Sequence, residues 1–142
     1  GQIPLYYNHL NTGRPLKEGK WFTKFTSNYL DIDNDPLYPF GYGLSYTTFK
    51  YGKPTLSSNT MTNNETISVS VDITNMGNYD ADEIAQMYIR DLAASVSRPV
   101  KELKGFERIS IKKGETKTVT FTITPEDLEV LQPGVGIQKR AW

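Results

Sequence analysis

His9 is the single histidine of this sequence, and there is no cysteine. Those two facts exclude thiol catalysis, disulfide frameworks and nearly every zinc arrangement. No Ser nucleophile motif lies near His9, so a structural or solvent-facing role is expected for it. Carboxylates are the next candidates, because two of them can share acid and base work. Asp31, Asp33 and Asp35 sit close together with Asn34 among them. That spacing suggests a calcium loop, but the glycine and the distal glutamate of such a loop are absent, and a solvated turn is expected. Asp80-Ala81-Asp82-Glu83 falls at a turn and a strand start, where it reads as the polar end of a sheet.

Aromatic rings offer a different chemistry. Trp21, Phe22, Phe25, Tyr29, Tyr38, Phe40, Tyr42 and Tyr46 follow one another without helical or strand period. Exposed rings of this kind can stack on sugars, and Trp21, Phe22, Tyr38 and Tyr42 are the candidate platforms for carbohydrate. That use needs several rings exposed and coplanar. The glycines of Tyr38-Pro39-Phe40-Gly41-Tyr42-Gly43 invite a phosphate-loop reading, but no Lys and no helix follows, so a tight aromatic turn is expected instead. Asn64-Glu65-Thr66 fits a glycan acceptor, which matters only in a eukaryotic secretory route. Nothing among these residues makes a catalytic or metal site, and no cofactor is implied.

Composition narrows the partners. Sixteen basic residues balance sixteen acidic ones, so there is no basic footprint for nucleic acid and no acidic tail. No stretch approaches the ~18 apolar residues of a membrane-spanning helix. At 142 residues, with 37% apolar and 12% aromatic residues, the chain suits one compact domain or one domain with an arm, and it is too apolar for simple disorder. The first residue is not Met and no signal-like segment follows, which leaves both a cleaved leader and a longer parent chain open.

The elements that must position these groups divide at about residue 43. Residues 1–43 are irregular. Ile3, Leu5 and Tyr7 alternate, so residues 2–7 read as one short strand, with Pro4 favouring a sheet edge. An arm this aromatic has little of its own to bury against, and each buried ring is worth roughly 1.5–3 kcal/mol; it is expected to pack on something else. From residue 44 the period becomes two. Strands are expected over Leu44–Tyr51, Ile67–Thr74, Glu83–Arg90, Val100–Ile109 (with Gly105 as a bulge or bend) and around Val119, Phe121 and Ile123. Thr124-Pro125-Glu126-Asp127 reads as one capped helical turn. Strands at this spacing specify an all-β, immunoglobulin-like antiparallel sandwich behind an irregular aromatic-rich arm.

Several long segments resemble one family. They are Gly1-Gln2-Ile3-Pro4-Leu5-Tyr6-Tyr7-Asn8-His9, Asn11-Thr12-Gly13-Arg14-Pro15, Leu37 through Thr47, Val71-Asp72-Ile73-Thr74-Asn75, Gln86-Met87-Tyr88-Ile89-Arg90-Asp91 and Ser97 through Phe106. In this order they resemble the C-terminal part of glycoside hydrolase family 3, of the periplasmic β-glucosidase type, over residues 1 to about 128. The resemblance implies a barrel domain and an α/β sandwich domain upstream, with a fibronectin type III-like sandwich last. Residues 1–8 would be a late strand of the middle domain, 9–43 a linker arm, and 44–128 the sandwich. The family's nucleophile and acid/base carboxylates would lie upstream of Gly1, so no catalytic residue is carried over and the chain alone is expected to be inactive. The implied parent is a retaining enzyme acting on terminal β-glucosides. Its catalytic domains would pack on the arm, its substrate would be an oligosaccharide, and its place would be the periplasm or the exterior of a bacterium.

The tail, residues 129–142, departs from the family and shows no alternation. One choice of synonymous codons for it, read one base later, encodes Lys-Phe-Tyr-Asn-Pro-Glu-Leu-Val-Tyr-Lys-Asn-Glu-Pro-Gly, which is family-like. A frameshift is the expected origin. Its consequence would be a missing last edge strand, a loss of about 5–9 kcal/mol from three inward side chains. The open edge would favour pairing with another copy. Three functions therefore compete: a non-catalytic accessory module bracing catalytic domains, a carbohydrate-binding module, and an adhesion or assembly domain.

Overall fold

The computed structural model describes residues 2–16, 24–92 and 97–128, together with the backbone of 130–131 and 137–138. The chain divides into two compact units, Gly1–Gly43 with Tyr88–Leu103, and Leu44–Met87 with Lys104–Trp142. Among the described residues eight strands run in the order β1 (Phe49–Tyr51), β2 (Thr55–Leu56), β3 (Ile67–Asn75), β4 (Ala81–Ile89), β5 (Glu102–Ile111), β6 (Thr116–Ile123), β7 (Val130–Leu131) and β8 (Ile137–Gln138). The described helical content is one 3-10 turn, Pro125–Leu128, with the Asp127 carboxylate accepting from the Thr124 amide and hydroxyl.

The first sheet is built on β3. Along one edge β6 pairs antiparallel with it from Ile67↔Ile123 to Thr74↔Thr116. The other edge carries β1, opposite Ile73 to Asn75, and then β2, opposite Val69 and Ser70. The alternation of the sequence explains the two faces. Ile73 and Val119 are inward and buried, with Val71 and Phe121 packed beside them. The outward face is a ladder of hydroxyls, in which Ser70 meets Thr120, Thr74 meets Thr116, and Thr118 donates to Asp72. Such cross-strand pairs are worth roughly 0.2–1 kcal/mol each. The second sheet is the pair β4–β5, contributing Ala85 and Ile111 to the same core. Two antiparallel sheets sharing one apolar layer are the sandwich that the period-two pattern predicts.

Asn75 closes this core at the end of β3 and is fully buried, with no exposed surface. Its Nδ2 donates to the carbonyls of Tyr79 (2.7 Å) and Ile111 (3.0 Å), and its Oδ1 accepts from the Thr47 hydroxyl (2.6 Å) and the Gly77 amide (3.1 Å). Its backbone amide donates to Glu115 and its carbonyl accepts from Gly114. The Asn75 side chain therefore ties the approach to β1, the β3–β4 turn and the end of β5, and its backbone ties the β5–β6 turn. Gly77 is part of the same joint, since a Cβ there would stand 2.0 Å from the Thr47 hydroxyl oxygen.

Two expectations need correction. Residues 2–7 form no strand. A strand needs a neighbour to complete its ladder, and here the Ile3 amide donates to the Tyr29 hydroxyl instead. The first strand is only Phe49–Tyr51, because β3 ends at Asn75; just before it the Thr48 carbonyl still accepts from the Met76 amide, and the ladder stops there. Gly105 lies within β5, where a Cβ would meet the Phe121 ring at 3.0 Å, so the glycine makes room for that ring. In the C-terminal tail, β7 and β8 pair antiparallel with each other, and the rest of the tail departure lies outside the described residues.

Candidate functional site

The acidic loop is a hydrogen-bonded turn. Asn34 donates from Nδ2 to the Ser27 carbonyl (2.8 Å) and accepts from the Tyr29 amide (3.1 Å). Gln2 donates to the carbonyls of Asp33 (2.6 Å) and Asp35 (3.0 Å). These bonds use the Asn34 side chain and the backbone carbonyls of Asp33 and Asp35. Among the described residues no group of three or more His, Asp or Glu is placed to hold a metal ion. The small cleft lined by Leu16, Asn28, Tyr29, Ile32, Asp33 and Asn34 has room for about one water, too little for a sugar ring.

His9 is exposed, its Nδ1 lies 3.0 Å from the Leu10 carbonyl, and its own carbonyl accepts from the Val100 amide at 2.9 Å. Its role is to carry backbone, as Leu10 does in its bridge to Pro99. Asp82, from the second acidic run, accepts from Ser110 and from Arg108 across the β4–β5 pair. The Ser110 hydroxyl first, and then the Arg108 guanidinium, hold its carboxyl below the usual carboxylate range. That is a strand-pairing contact at a polar sheet end.

The rings make the arrangement that remains. Tyr7 stacks on Phe40, with centroids 4.2 Å apart and planes 16° from parallel, and meets Tyr88 edge-on at 6.2 Å. The Lys101 ammonium stands 5.3 Å from the Tyr88 centroid. Burial, with Tyr7 beside it, pushes the Tyr88 phenol above its ordinary value. Tyr38 and Tyr42, brought together by the turn in which the Tyr42 amide donates to Pro39, are 68% and 54% exposed. Their centroids are 5.3 Å apart, but their planes are tilted by 44°, so they do not form the coplanar platform that sugar stacking was expected to need. Trp21 and Phe22 lie outside the described residues.

Around these contacts the apolar surface is largely uncovered. Ile3, Tyr6, Leu10, Phe25, Leu30, Leu37 and Phe40 are all exposed in the same unit, as are Leu44 and Tyr46 just beyond it. Single exposed apolar residues are ordinary, but a crowd of them on one arm marks a surface made to be covered. Sequence reasoning had no signal for which rings are satisfied within the arm. The Tyr7–Phe40 stack joins residues 33 positions apart, and no local period reports it.

Residues 83–137 match the fibronectin type III-like domain family. A periplasmic β-glucosidase of Salmonella typhimurium is 55% identical over 132 residues, which is 93% of this chain and 17% of that protein. A β-xylosidase of Formosa agariphila is 47% identical over 131 residues, 92% of this chain and 17% of that protein. Among solved structures, a β-glucosidase from Listeria innocua in complex with isofagomine superposes with a TM-score of 0.89 at 42% identity, covering 97% of this chain and 19% of that one. The chain thus spans about a sixth of the length of the curated relatives it matches.

Proposed function

We propose, on the premise that this chain belongs to glycoside hydrolase family 3 as its non-catalytic fibronectin type III-like accessory module, that it braces the catalytic domains of a β-glycosidase through its aromatic arm. The observation that carries this is the uncovered apolar surface of residues 2–16 and 24–43, on a chain that matches about a sixth of its relatives' length. Burying several exposed rings at roughly 1.5–3 kcal/mol each supplies enough free energy to hold a module in place. The parent is read as a hydrolase of terminal β-glucosides, exported to the periplasm or beyond, in keeping with the names of its relatives. Residues 1–8 are read as a strand that finds its neighbours only in the parent's middle domain. Tyr38 and Tyr42 belong to the covered surface in this reading, since their tilt disfavours a flat sugar platform.

The test is direct. The chain alone, assayed with 4-nitrophenyl β-D-glucopyranoside, is expected to show no turnover above buffer. The Salmonella enzyme carrying this chain in place of its matching segment is expected to hydrolyse the substrate. Turnover by the isolated chain, or a chimera that folds and is inactive, contradicts the proposal.

A further inference from the structure

Phe25 stands apart among the exposed rings. It is the one described non-glycine residue with positive φ, at 65°, and it is 75% exposed. A bulky side chain in the left-handed region is strained, and such strain persists only where the surroundings over-determine it. Those surroundings are visible. Pro15 and Ser27 form a parallel bridge, and the Ser27 amide donates to the Arg14 carbonyl at 2.8 Å. These contacts pin the segment that carries Phe25 alongside residues 14–15, and the Arg14 guanidinium lies 5.7 Å from the ring centroid. The Arg14 guanidinium is near the ring, which nevertheless remains largely exposed. Gly at this position would adopt the same backbone freely, so the ring itself must repay its cost elsewhere.

We propose that Phe25 is the anchor of the contact between this chain and the rest of its enzyme, a ring presented by strained backbone to an apolar pocket whose acidic rim meets Arg14. The inference rests on the accessory-module reading and names the residue that carries it. The occupant is protein of the same polypeptide, because most of the relatives' length lies outside the segment this chain matches. The acidic rim follows from charge complementarity, since a guanidinium beside a buried ring needs a carboxylate once water is excluded.

The experiment compares Phe25→Gly in two settings: this chain alone, and the full-length Salmonella enzyme carrying this chain in place of its matched segment. Thermal melting of the isolated chain is expected to be unchanged or raised by up to about 3 °C, because glycine relieves the left-handed strain. Melting of the chimera is expected to fall by at least about 2 °C, because the anchor is gone. Arg14→Glu should lower the chimera's midpoint too, and this loss should shrink as salt is raised. Phe25→Tyr, which keeps the ring, should leave the chimera within about 1 °C of its parent. A Phe25→Gly shift of the same sign in both settings, or none in the chimera, overturns the anchor. If the unaltered segment melts in the chimera at the isolated chain's own midpoint, the accessory-module reading itself fails, and the anchor with it.

Discussion

Replacing Asn75 tests whether the sandwich is held by the joint described at the end of β3. Asn75→Ala removes four side-chain hydrogen bonds and leaves the Tyr79 and Ile111 carbonyls, the Thr47 hydroxyl and the Gly77 amide without that partner. The Ile111 bond is buried and the other three are partly so. A buried group left unsatisfied costs about 1–3 kcal/mol and a partly buried bond about 0.5–1.5 kcal/mol. Allowing for non-additivity among bonds that share one side chain, the expected loss is about 3–5 kcal/mol, a large part of a typical domain's 5–15 kcal/mol. Asn75→Asp keeps both acceptor bonds but faces the two carbonyls with an oxygen instead of an amide. The proton that relieves this is held more tightly in the folded state than in the unfolded one. The variant's stability is therefore greatest below the usual carboxylate range and falls as pH rises towards neutrality. Urea unfolding followed by far-ultraviolet circular dichroism, at about pH 4 and about pH 7, measures both effects. If either variant at neutral pH lies within about 1 kcal/mol of the unaltered chain at equal slope, the reasoning is refuted.

Three other outcomes are expected. Gly77→Ala forces a methyl onto the Thr47 hydroxyl and should cost about 1–3 kcal/mol, and Thr47→Ala should recover part of that in the double variant; simple additivity in urea melts would contradict the shared joint. Asp82→Asn should lower the melting temperature at neutral pH and have no effect at a pH below the folded-state value. The carboxylate is depressed in the folded state, so its contribution is present above the ordinary carboxylate range and lost as pH falls through the lower folded value; a pH-independent shift would contradict this. Ile73→Ala, at the centre of a core with only four fully enclosed apolar side chains among the described residues, should cost about 2–5 kcal/mol and abolish cooperative melting in any already weakened background.

The sandwich was legible where one sheet face is solvated. Val119, Phe121 and Ile123 alternate with threonines because one side of β6 meets the core and the other meets water, and Ile67 to Ile73 repeat that signature. Residues 2–7 carry the same alternation without forming a strand, since alternation describes a face and a strand also needs an edge to pair with. Asn75 lies at the end of the β3 alternation. Its role depends on four groups converging from positions 47, 77, 79 and 111, and only the fold brings them together. The arm showed its aromatic excess in the sequence, but which rings pack together, as Tyr7 does with Phe40 and Tyr88, is a property of distant pairs. The strain at Phe25 left no trace in composition, because phenylalanine is not a residue that predicts positive φ.

Hydroxyl-radical footprinting read by mass spectrometry measures the central claim most directly, because it reports the exposure of each ring. Tyr6, Phe25, Tyr38, Phe40 and Tyr42 are exposed in this chain and should be readily oxidised in isolation. The same rings should be protected in the full-length chimera, while the outward hydroxyl face of β3 and β6 keeps its accessibility. Equal oxidation of the five rings in the two settings would mean that the arm covers nothing, and the chain would then not be the brace of a catalytic assembly.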